Sequence, residues 1–166
     1  MMVLSAHLFP LLLTVAAAGD VLSRRISNRL VLFLALAFFP AAWAAGMPLM
    51  PMLVHAAVGL GLLVAGFVLF SFGFVGGGDA KLLAAAGVWL GFEGLVPFLT
   101  MTAVAGGLLA VILLARSLFP LALGLMKPGV PPRAGGLKPS VPYGYAIAAG
   151  AILAFSDSWW GSAFTQ

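Results

Sequence analysis

The sequence predicts an all-α fold, a polytopic membrane protein of six transmembrane helices in a single domain over residues 1–166, and three observations predict it. The chain has 166 residues, 63% of them hydrophobic and 7% charged, where soluble domains carry about 25% charge. Its mean hydropathy is +1.19, and at ~20 residues per crossing the apolar share fills five or six spans and little else. The apolar stretches are also parted by charge, proline or glycine, the usual punctuation between helices. The same numbers exclude a water-soluble globule and a disordered chain. With no cysteine, disulfides, thiolate metal sites and a thiol nucleophile are excluded too.

The spans follow in order as 2–19, 30–45, 53–72, 82–92, 95–114 and 141–155. No Lys or Arg precedes the first apolar run, so despite Ala16-Ala17-Ala18 it reads as a retained helix and not as a cleaved signal. The second span follows an arginine-rich stretch and the third ends in the glycine-rich Phe72–Gly78. The fourth is the shortest and closes on a turn, Gly91-Phe92-Glu93-Gly94. After the fifth, Leu118–Met126 is apolar between Arg116 and Lys127 and is expected along the interface. Lys127–Ser140 (KPGVPPRAGGLKPS) is a Pro- and Gly-rich linker into the sixth span. Gly59, Gly61, Gly66, Gly87 and Gly91 read as packing positions that let helices approach.

Six crossings place all eight basic residues on one face: Arg24, Arg25 and Arg29, then Lys81, then Arg116, Lys127, Arg133 and Lys138. By the positive-inside rule that face is cytoplasmic, in a cell inner membrane, with both termini outside. The net charge of +4 is thereby explained by lipid and topology, and no nucleic-acid partner is expected.

Only four acids occur. Glu93 lies in the short turn. Asp157 lies beside Trp159 and Trp160, an expected interfacial aromatic pair, and both acids read as solvated. Asp20 ends the first span and Asp79 opens the fourth, so both fall at the cytoplasmic edge. An acid near the apolar zone is costly and by default functional. Asp79 also suits the N-cap of a helix beginning at Ala80, and Asp20 has Arg24 four residues on. Two carboxylates at one depth can instead share a proton, one acting as base toward water and the other as acid toward carbonyl or leaving amine. That is aspartyl-protease chemistry, needing no metal and no cofactor. His7 and His55 fall on the far side, away from both acids, which argues against a His-based metal site and against a Ser–His pair. The helix starting at Ala80 places its positive end at Asp79, which favours negative charge there, so Asp79 is the expected base and Asp20 the protonated partner. The glycines Gly73, Gly76, Gly77 and Gly78 lack a Cβ that would keep a peptide away, and an extended substrate could pair with that edge. A flexible turn is the other reading; a Walker loop would need Gly-Lys-Ser/Thr.

On these residues the chain resembles the prepilin peptidases, membrane aspartyl proteases of the GxGD type. Gly76-Gly77-Gly78-Asp79 matches their signature and continues Ala80-Lys81-Leu82; Asp20, Arg24, Arg25, Ile26 and Asn28 fit their first motif. Pro142-Tyr143-Gly144 is similar to their Pro-aromatic-Gly segment, so the likeness runs to about Gly150. It implies cleavage of the cytosolic leader of type IV pilin-like precursors before their hydrophobic helix. Asp20 and Asp79 would be catalytic, and Gly76, Gly77, Gly78, Lys81, Pro142, Tyr143 and Gly144 would bind the substrate. Long members of the family also methylate the new N-terminus through a region with paired cysteines. This chain resembles the short type serving tight-adherence (Flp) pili, or an archaeal-flagellin-type relative, without methyl transfer. The rival class is a small transporter in which the two acids carry protons or a cation; transport acids sit near the midplane.

Overall fold

The computed structural model describes residues 2–23, 27–122 and 143–164, and the regular structure among them is helical. The helices are α1 (Met2–Ser23), α2 (Asn28–Ala44), α3 (Leu49–Ser71), α4 (Gly77–Ala122) and α5 (Tyr143–Leu153). A 3₁₀ turn, Ala154–Asp157, leads into a short α6 (Trp159–Phe164). Residues 118–122 continue α4, while the linker Lys127–Ser140 lies outside the described residues.

Two stretches, α3 and 77–116 of α4, are long and apolar enough to cross a membrane; the apolar parts of α1 and α2 are shorter. Their outward surfaces are hydrocarbon: Leu60, Val64 and Phe67 on α3 and Val96, Val104 and Val111 on α4 are all more than half exposed. A continuous apolar surface of this kind needs a cover, and lipid tails supply one.

The break in α4 is narrower than the four-residue turn expected at 91–94. Gly91 alone leaves the helical region, at φ 65° and ψ −165°, a conformation essentially reserved for glycine. The chain resumes helix at once with Phe92, giving arms 77–90 and 92–122. The interruption frees carbonyls that a continuous helix would use, and side chains take two of them. His55 Nδ1 donates to the Val88 carbonyl at 2.8 Å, and Trp160 Nε1 donates to that of Trp89 at 3.0 Å.

Small residues set the helix spacing. α3 runs antiparallel to the first arm, with Gly66 against Ala80 and Gly59 against Val88, so closely that neither has room for a Cβ; Gly87 meets Leu62 in the same seam. Gly61 faces open space and packs nothing, contrary to its expected role, because it lies on the opposite side of α3 from Gly59. α5 runs antiparallel to the second arm, with Gly150 on Thr102 and Tyr143 on Gly106. α2 lies along the first arm in the same direction: Asn28 meets Lys81, and Trp89 Nε1 donates to the Leu34 carbonyl at 2.8 Å.

The bulkiest core side chains gather at one end. Phe9, Phe38, Trp89 and Trp160 are fully buried. Phe9 stacks on Trp89 at 5.2 Å between ring centres and Trp89 meets Trp160 at 5.4 Å. The expected interfacial pair is therefore corrected for Trp160, which the turn after α5 folds inward over the carbonyl left by Gly91. Asp157 and Glu93 are exposed, as expected.

Candidate active site

Asp79 stands in the first turn of α4, half-buried, about 15 Å along the helix from Trp89 at 1.5 Å per residue. Gly77 and Gly78 already belong to that helix, so of the expected substrate-binding glycines only Gly76 lies outside it. The reason is local: Ala80 N–H donates to the Gly76 carbonyl at 3.0 Å, closing the first helical turn over the glycines. Of the glycines between Phe72 and Gly78, Gly73 takes a positive φ, 78°.

Gly76 has a different use. The carboxylate of Asp79 folds back over it: a Cβ at position 76 would stand 2.8 Å from Oδ2. The missing side chain is what leaves that oxygen its place. Behind it, the Gly66–Ala80 contact presses the start of α4 against α3, so the backbone carrying Asp79 is held from the rear.

Asp20 falls in the last turn of α1, and its side chain lies outside the described residues. Arg24, Arg25 and Pro142 lie outside them as well. Asn28, the first residue of α2, accepts a hydrogen bond through Oδ1 from Lys81 Nζ at 3.2 Å. A bond across 53 positions thus joins the segment after Asp20 to the one after Asp79. Lys81, expected to bind substrate, has a partner inside the chain. Tyr143 and Gly144 open α5, Tyr143 part-exposed against Gly106 and Gly144 buried; the structure seats them on the second arm of α4. Asn28 was legible only as part of a motif, since no periodicity announces a contact between distant helix ends.

Among the described residues no group of three His, Asp or Glu could hold a metal ion. A carboxylate at the amino end of a helix, with its oxygen set over a glycine and a cation two residues on, can take a proton from water and orient it.

A family model described as the Type IV leader peptidase family matches residues 7–111. That stretch contains both acids and Lys81 but stops short of Tyr143 and Gly144, so the third segment of the likeness is outside the match. No curated protein and no solved structure matches the chain.

Proposed function

Because the chain belongs to the type IV leader peptidase family, and is therefore a membrane-embedded protease, we propose that it is an aspartyl endopeptidase whose catalytic pair is Asp20 and Asp79. The observation that carries this reading is the seat of Asp79: first turn of α4, oxygen over Gly76, and linked by the Asn28–Lys81 bond to the segment that follows Asp20. Asp79, at the positive end of the helix dipole, takes a proton from water as the oxygen attacks the scissile carbonyl. Asp20 protonates the carbonyl oxygen and the pair then returns a proton to the departing amine as the C–N bond breaks. No metal or cofactor enters the scheme.

Leader peptidases act on prepilins in general; the finer reading is a tight-adherence (Flp) type precursor cut at the cytoplasmic face, with no methyl transfer. Gly76, Gly77, Gly78, Lys81, Pro142, Tyr143 and Gly144 are the residues proposed to meet it. In the same reading the chain crosses an inner membrane six times with both termini outside. Nothing in the family match or the geometry favours a transporter.

The test is cleavage of an Flp-type precursor by the purified chain in detergent. Asp20→Asn and Asp79→Asn should each remove cleavage, by at least about a thousandfold, while helicity is unchanged. Full activity in either variant would refute the catalytic pair. A methyl donor added to the wild-type reaction should leave the new N-terminus unmodified.

A further inference from the structure

A groove of about 580 Å³ runs between α2, α3 and the first arm of α4. Asn28 and Lys81 stand at its mouth, and Gly59, Ala84, Ala85 and Val88 are among its apolar walls. It opens sideways between Leu32 and Leu60, both about 60% exposed, toward the surface that lipid must cover.

Length decides the occupant. From Lys81 to Val88 the groove follows seven residues of helix, about 10 Å at 1.5 Å each. A partner helix crossing ~30 Å of hydrocarbon would need a seam about three times as long. An acyl chain within one leaflet fits. Charge decides the headgroup. Lys81 gives one N–H to Asn28 and keeps its others, and it is the cation among the groove's lining residues. Ser27 supplies no side-chain cap, so the first N–H groups of α2 point out of the helix at the same mouth. Basic mouths of this kind between membrane helices suit anionic headgroups.

We propose that this groove is a binding site for one anionic phospholipid, its phosphate on Lys81 and Asn28 and one acyl chain along Ala84 and Val88. The chain then carries a structural lipid on the helix that bears Asp79.

The experiment places a benzoylphenylalanine at Leu60 of the full chain in vesicles of phosphatidylglycerol and phosphatidylcholine, with adducts weighed after irradiation. A single phosphatidylglycerol adduct is expected, favoured about fivefold over phosphatidylcholine, the preference that one lysine near the surface confers. Lys81→Glu should abolish the preference, and Ala35→Trp, which fills the groove from α2, should lower the adduct at least about fivefold. Equal labelling by both lipids, an adduct unaffected by Ala35→Trp, or a polypeptide adduct (a second copy included) would each overturn the proposal. Lys81 is exposed, so its variant keeps the fold, which circular dichroism checks. The readout is lipid mass, so the result stands whether or not the proteolytic reading does.

Discussion

At Gly76 one hydrogen in place of a methyl group decides where a carboxylate sits. The position does not need glycine's left-handed freedom, since it is absent from the positive-φ glycines of the described chain. Alanine is therefore acceptable to the backbone, and its Cβ would collide only with Asp79 Oδ2. Gly76→Ala should accordingly leave the melting temperature within about 2 °C while, under the catalytic role proposed for Asp79, cutting kcat about a hundredfold, the cost of an ångström-scale displacement of a reacting group. Unchanged kcat would mean that the carboxylate moves freely at no expense. The acids themselves were singled out in the sequence because ionisable groups are so rare here that each one asks for a reason. The Asn28–Lys81 contact was not, because hydropathy and motif spacing say nothing about which distant polar pair will meet. Lys81 was accordingly assigned to substrate alone.

At the scale of the element, α4 shows what a single backbone outlier can organise. Gly91 bends the helix, His55 and Trp160 cap the carbonyls it frees, and the His55 ring fills the space where a Cβ at 91 would go. Gly91→Ala thus meets both a forbidden backbone region, of order 1–3 kcal/mol, and a steric collision of similar size. We expect a loss of about 3 kcal/mol, read as a lower melting temperature. Adding His55→Ala should restore about 1 kcal/mol by removing the collision, though the Val88 carbonyl then lacks its donor; contacting residues couple to this degree. Strict additivity of the two changes would contradict the packing described. The sequence placed a break here correctly, since glycines flank a lone acid between apolar runs. It made the break too wide because local composition cannot tell a four-residue turn from one glycine followed by an immediate return to helix. Trp160 was misread for a related reason: a tryptophan beside an acid near a chain end looks interfacial until the turn after α5 carries it inward.

For the whole molecule, the all-helical architecture and its apolar exterior were readable from composition alone, because 7% charge leaves few other solutions. Orientation rests on the one-sided placement of the basic residues and is open to measurement. A cysteine replacing exposed Ser27 should react with an impermeant maleimide from the cytoplasm. Cysteines replacing exposed Met50 or Glu93 should react from outside. Met47 and Gly94 are unsuitable probes, because both are buried. Labelling of Ser27→Cys and Met50→Cys from the same side would exclude the six-span arrangement.

The knot of Phe9, Phe38, Trp89 and Trp160 lies toward the opposite end of the first arm from Asp79, and this gives the protein the mechanics of a clothes-peg. One end is sprung shut by large interlocked rings; the other, near Asp79, is closed among the described residues by the close Gly66–Ala80 approach, Leu82, the Phe70 ring on Gly77 and the exposed Asn28–Lys81 bond. Local openings start where buried contact is thinnest. Amides of 86–90 should therefore exchange with deuterium far more slowly than those of 77–81. Warming should silence the enzyme before it unfolds. Activity lost below the melting transition should return on cooling, while tryptophan fluorescence, reporting the sprung end, stays unchanged throughout. Exchange equally fast at both ends would show that the jaws and the spring are one cooperative piece.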